Sequence, residues 1–216
     1  MSDTQLLLLL IPVGFLAGSI PFGFLVGKAR GIDIRTAGSG NIGATNVGRL
    51  LGKKWFYLVF FLDVMKSCLT LVAARLLLSQ PPQSTTIFGL WLAIGFFALL
   101  GHIFTPWLGF KGGKGVATGF GVMLGIFPYY TIPGLIGLAT FIAIYKKTRY
   151  ISLASMIGAG LFPIYYLILG LLLKWDILSS QLPLLVFAFV MASLVILRHR
   201  ENIARLRAGT ENRAPV

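Results

Sequence analysis

LLLLLIPVGFLAGSIPFGFLV, residues Leu6 to Val26, carries no charge over a length matching the ~20 residues a helix needs to cross a bilayer core. Asp3 is the one charged side chain before it, whereas Lys28, Arg30 and Arg35 follow it. A cleaved secretory signal would place its positive charge first, so the stretch reads as a retained helix with its N-terminus outside. Gly18, Ser19 and Gly23 sit on it at near-helical spacing, which permits close helix packing.

The same alternation continues along the chain. Apolar runs cover Trp55–Ser79, Ile87–Trp107, Val116–Tyr145, Ile151–Leu173 and Leu182–Leu197. The run from Val116 is about 30 residues long, with Lys114 before it and Lys146, Lys147 and Arg149 after it, so it crosses and comes back. Pro128 and Pro133 bracket a tip at Tyr129–Ile132, leaving two short helices of about 15 residues each. The expected fold is all-α: a polytopic membrane protein with seven transmembrane helices, N-terminus outside and C-terminus cytoplasmic, whose short helices across 116–145 form a hairpin. Of the nineteen Lys and Arg residues, only Arg75 and Lys174 fall outside on this scheme, and Lys66 lies within a span. The rest gather on the inner side, as the positive-inside rule requires.

Composition agrees. Of 216 residues, 56% are apolar and 12% charged, half the charge of an ordinary soluble domain, and mean hydropathy is +0.86. One integral-membrane domain over 1–216 exhausts the length. Lone Cys68 excludes a disulfide framework, and two histidines with six acids argue against a metal site. The net charge of +13 would suggest nucleic acid in a soluble protein. Here the bases occupy the breaks between apolar runs, so the expected partners are membrane lipid headgroups and phosphorylated substrates, with no nucleic acid.

Three polar segments on the inner side could carry chemistry. In the first, Arg35 to Arg49, glycines at 38, 40, 43 and 48 let the backbone turn and present N–H groups to an anion. Ser39, Asn41, Thr45 and Asn46 add neutral donors, and Arg49 can grip a phosphate with two hydrogen bonds. A solvated glycine-rich connector is the plainer reading, but connectors seldom join so many donors to so few acids. In the second, Phe110-Lys111-Gly112-Gly113-Lys114-Gly115 resembles a Walker A loop without its spacing or its hydroxyl. Flexible amides, an ammonium and a helix start near Val116 still favour phosphate over a mere charge anchor. In the third, Arg198 to Leu206, a helix would align His199, Asn202 and Arg205 on one face, with Glu201 elsewhere and able to pair with Arg205 or Arg198. An interfacial amphipathic end is the alternative. Ser152 and Ser155, beside Arg149 and Tyr150, complete the polar set. Asp63 and Lys66, one turn apart in an apolar run, read as a bracing pair, and His102 as a bracing residue. Trp55, Trp107 and Trp175 read as interface anchors.

Taken together, Gly38-Ser39-Gly40-Asn41-Ile42-Gly43-Ala44-Thr45-Asn46-Val47, the Lys111–Ala117 segment with Phe110, and His199-Arg200-Glu201-Asn202 resemble the bacterial integral-membrane acyl-phosphate:glycerol-3-phosphate acyltransferases over essentially the whole chain. That resemblance implies seven spans in the bacterial cytoplasmic (inner) membrane, an active site facing the cytoplasm, no cofactor, and substrates glycerol 3-phosphate and a fatty acyl phosphate. A monomer is the expected acting form. It assigns catalytic importance to Ser39, Arg49, Lys114, Ser152, His199 and Asn202. Substrate binding falls to Gly40, Asn41, Gly43, Thr45, Asn46, Lys111, Gly112 and Gly113.

The chemistry is consistent. An acyl phosphate is a mixed anhydride with a good leaving group, so a site must chiefly neutralise two phosphates and orient one hydroxyl. No carboxylate is in register to orient His199, which favours a substrate phosphate oxygen as proton acceptor, with His199 itself the other possibility. A transporter or binding protein for a phosphorylated small molecule is the competing class, but transporters hold polar groups at mid-membrane rather than at one face. A lipid-binding scaffold would need the bases and not the glycine-asparagine loop.

Overall fold

Pro21 has no amide proton to donate, and the first apolar stretch divides at Ile20–Pro21 into α1 (Asp3–Ser19) and α2 (Phe22–Ala29). The structure, a computed structural model, describes residues 1–213. Ser2 starts α1 with a capping box: its Oγ accepts from the Gln5 N–H, and Gln5 Oε1 accepts from the Ser2 N–H, which satisfies two of the donors left open at a helix start.

The remaining helices are α3 (Ala44–Leu51), α4 (Lys53–Leu77), α5 (Thr85–Ile103), α6 (Val116–Gly125), α7 (Thr131–Thr148), α8 (Ile151–Leu172), α9 (Leu182–Arg198) and α10 (Arg200–Arg207), with a 3₁₀ turn at Pro106–Leu108. No strand occurs among the described residues. Among the described residues, four segments are long and apolar enough to cross a membrane: Asp3–Ala29, Lys53–Leu77, Thr85–Leu108 and Ile151–Leu172. A fifth follows if Leu182–Arg198 and Arg200–Arg207, bent by 55°, count as one span. The expected hairpin across 116–145 is two helices of unequal length. Its first arm, α6, has 10 residues and rises only ~15 Å, about half a bilayer core. Its second arm, α7, has 18.

The chain divides into two compact units. The first comprises residues 1–81 and 90–125, and small residues set its helix spacing. A Cβ added to Gly18 would stand 2.0 Å from the Ala98 carbonyl oxygen, and one on Gly101 2.2 Å from that of Phe15, so α1 and α5 touch backbone to backbone. Gly121 brings α6 as close to α4, where an added Cβ would lie 2.1 Å from the Val64 oxygen. The Trp91 indole N–H donates to the Leu71 carbonyl at 2.9 Å. A separate apolar cluster of Ile34, Ile42, Val47 and Val59, flanked by Phe24, Trp55 and Phe56, pins the glycine-rich segment and α3 onto α4. The second unit comprises 82–89 and the residues from 126 onward. There α8 packs between α7 and α9. Buried Tyr130 lies edge-on to Phe162 and Tyr166 and donates its hydroxyl hydrogen to the Leu184 carbonyl.

Candidate active site

In the segment before α3, buried Asn46 acts as a staple. Its Oδ1 accepts from the Ser39 N–H at 2.8 Å, and its Nδ2 donates to the carbonyls of Ile34 at 2.9 Å and Ala37 at 3.1 Å. Gly38 and Gly40 sit at φ +61° and +67°, conformations that favour glycine, and a Cβ on Gly38 would meet Asn46 Oδ1 at 2.3 Å. Asn41 Oδ1 accepts from the Gly43 N–H at 2.9 Å, an Asx turn that delivers the chain into α3. Gly43 is the N-cap of α3, and Thr45 lies in its first turn. The staple therefore fixes Ser39 relative to α3, while Ser39, Thr45 and the helix residue Arg49 remain partly accessible. Arg35 is held by Asp33 through contacts of 2.9 and 2.7 Å. The Arg35 hydrogen bonds keep the Asp33 carboxyl at about 2.

Residues 111–115 fold back on the end of α5. The Gly112 N–H donates to the Ile103 carbonyl and the Gly113 N–H to the His102 carbonyl, each at 3.0 Å. These two amides, read in the sequence as anion donors, close the last turn of α5 instead. Lys111 is exposed, whereas Lys114 is partly buried just before α6. Behind the loop lies a buried polar chain that the sequence suggested only as separate parts. The Lys66 ammonium donates to Asp63 Oδ1 at 2.7 Å, to His102 Nδ1 at 2.9 Å and to the Ile20 carbonyl at 3.0 Å. Its three protons thus have three acceptors, which is how a buried ammonium is tolerated. The carbonyl exposed by the α1–α2 break is one of them. Ser19 ties in the same region: its carbonyl accepts from the Thr105 hydroxyl at 2.6 Å, and its Oγ accepts from the Trp107 indole N–H at 2.8 Å. Trp107, read in the sequence as an interface anchor, therefore also acts as a strut.

The second unit carries Ser152, His199 and Asn202. His199 Nδ1 donates to the Val195 carbonyl at 2.7 Å, so a backbone oxygen orients the ring. That bond fixes the neutral tautomer with its lone pair on Nε2. Ser152 and Asn202 meet through a residue the sequence reading passed over. Glu211 Oε1 accepts from Ser152 Oγ and from Asn202 Nδ2, both at 2.6 Å, and its Oε2 accepts from Arg205 Nε at 2.8 Å. Arg205 thus pairs with Glu211 rather than Glu201. Burial pushes the Glu211 carboxyl up, but hydrogen bonds from Ser152, Arg205 and Asn202 outweigh it and hold the group below the usual carboxylate value. The signal available in sequence was rarity: an acid four residues past a basic helix, in a chain with only six.

An all-helical, multi-pass membrane protein is the class these features define. The glycerol-3-phosphate acyltransferase family model matches residues 8–209, and the chain belongs to that family. A glycerol-3-phosphate acyltransferase of Geobacter sulfurreducens is 45% identical over 208 residues, covering 95% of this chain and 96% of its own. One from Anaeromyxobacter sp. (strain Fw109-5) is 41% identical over the full length of both. Crystal structures of PlsY (YgiH), an integral membrane glycerol 3-phosphate acyltransferase, in glycerol 3-phosphate and lysophosphatidic acid forms, superpose with a TM-score of 0.81 at 37% identity. They cover 97% of this chain and 96% and 95% of theirs.

Proposed function

We propose that this protein transfers a fatty acyl group from acyl phosphate to the sn-1 hydroxyl of glycerol 3-phosphate, giving 1-acyl-glycerol 3-phosphate and phosphate, an early step of bacterial phospholipid synthesis. The observation that carries this reading is the full-length likeness to a protein with glycerol 3-phosphate and lysophosphatidic acid forms. The hydroxyl oxygen attacks the acyl carbon, the bond from that carbon to the phosphate oxygen breaks, and the hydroxyl proton passes to a substrate phosphate oxygen or to His199. Phosphate is a good leaving group, so the protein's task is to position two anions and one hydroxyl, and no covalent enzyme intermediate is needed. In this reading Ser39, Arg49 and Lys114, with Gly40, Asn41, Gly43, Thr45, Asn46, Lys111, Gly112 and Gly113 shaping their loops, serve the two phosphates. Ser152, His199 and Asn202 serve the hydroxyl and its proton.

The reading also sets seven spans in the bacterial inner membrane, an outside N-terminus and a cytoplasmic active site. The distribution of bases supports it, since only Arg75 and Lys174 lie towards the other ends of the apolar runs. Single cysteines introduced at Ser39 and Ala208, with Cys68 replaced, test this. An impermeant thiol reagent should leave both untouched in intact cells and modify them after lysis. Labelling in intact cells would overturn the orientation.

A further inference from the structure

The last described residues run back along the second unit. Arg213 Nε donates to the Tyr150 hydroxyl at 3.3 Å and its guanidinium lies 5.4 Å from that ring. Two residues earlier, Glu211 is 9% exposed. It binds one donor from the first turn of α8, Ser152, and two from α10, Asn202 and Arg205. Two of those three are residues to which the proposed reaction assigns a part. An ionised carboxylate can only accept hydrogen bonds, so it imposes a direction on both partners. Ser152 has one hydroxyl proton, and it is committed to Glu211. The Ser152 oxygen then presents lone pairs alone, which suit a substrate hydroxyl and oppose a phosphate oxygen. Asn202 must face Glu211 with its amide nitrogen, which sets which way its side-chain oxygen points.

We propose that Glu211 is a positioning residue for acyl transfer: it fixes Ser152 as a hydrogen-bond acceptor and orients Asn202, so that this part of the protein receives the glycerol hydroxyl rather than a phosphate. This rests on the reaction proposed above. Glu211 touches no substrate and acts through the two side chains it holds. A second consequence is that the tail from Thr210 to Arg213 belongs to the working enzyme, although it follows the last helix.

The test is steady-state kinetics of the purified full-length protein with palmitoyl phosphate and glycerol 3-phosphate, with the thermal midpoint in detergent recorded for each variant. Glu211→Ala should lower kcat/KM for glycerol 3-phosphate by about 10- to 100-fold, the effect of losing one or two charge-assisted hydrogen bonds, and leave KM for palmitoyl phosphate within about twofold. Glu211→Gln keeps an acceptor for Asn202 and should recover part of the loss. In a Ser152→Ala background, Glu211→Ala should cost markedly less than in wild type, because the Ser152 route is already gone. Wild-type kinetics from Glu211→Ala, or a loss fully additive with Ser152→Ala, would overturn the proposal. So would equal rises in KM for both substrates, which mark general loosening. An inactive wild type would instead defeat the proposed reaction, so the two failures are distinguishable.

Discussion

The α-carbon of Gly113 lies against the His102 imidazole, so close that a methyl group on it would stand 2.1 Å from Nε2. The same imidazole accepts from the Lys66 ammonium through Nδ1 at 2.9 Å. The loop bearing Lys114 is thus seated on a side chain whose other edge is held by a buried cation. Gly113→Ala should displace the ring, disturb the Lys66 contact and lower activity at least ~10-fold, since overpacking a tight contact costs about 1–3 kcal/mol. Turnover and the thermal midpoint in detergent check this. Wild-type values in both would show that the ring has room to move.

Lys66→Met should be among the most destabilising substitutions in the chain. It leaves the Asp63 carboxylate buried without its 2.7 Å partner, and breaking a buried pair from one side costs about 3–5 kcal/mol. Removing both charges in Asp63→Asn/Lys66→Met should recover most of the loss. Thermal denaturation of the single and double variants decides it, and a double variant no better than Lys66→Met would contradict the pairing.

The apolar runs gave away most of the helices, because a chain in lipid must satisfy its backbone within each segment. The Val116 helix start was readable as well, whereas the expected tip at Tyr129–Ile132 is displaced: the turn occupies 126–130, and Thr131, Ile132 and Pro133 open α7, a first-turn position that tolerates proline. What stayed hidden depends on distance along the chain. Asp63 and Lys66 are neighbours on one helix turn, but their junction with His102 joins positions 36 residues apart, which no local pattern encodes. Helix α3 was concealed in a glycine-rich segment whose glycines serve turns on one side of Gly43 and close packing on the other: a Cβ on Gly48 would meet Phe56 at 2.7 Å. Asn46 looked like a ligand group and is instead the staple of its loop. Asn side chains can do either, and only the three contacts distinguish them. Glu211 was missed because it lies beyond the final motif, where a lone acid carries no periodic signal.

The pH profile separates two routes for the proton. Glu211 is depressed below its unfolded value of ~4.3, so its contribution is complete above that value and disappears only as pH falls through the lower folded one. It therefore stays ionised from about pH 5.5 to 8 and adds no limb there. With the substrate phosphate as acceptor, His199 serves to orient the glycerol hydroxyl. His199→Ala should then lose activity yet keep an acidic limb near the phosphate's second pKa of about 6. A residual rate flat over about pH 5.5–8 would assign the limb, and the proton, to His199.

The choice of acyl donor tests the central claim most directly. Both glycine-rich segments suit a small anhydride phosphate. Purified protein given glycerol 3-phosphate and palmitoyl phosphate should form 1-acyl-glycerol 3-phosphate and release one phosphate for each acyl group transferred. Palmitoyl-CoA and palmitoyl acyl carrier protein should support less than about 1% of that rate, the difference expected when binding groups a site needs are missing. Comparable turnover with palmitoyl-CoA, or no product with palmitoyl phosphate, would contradict the account.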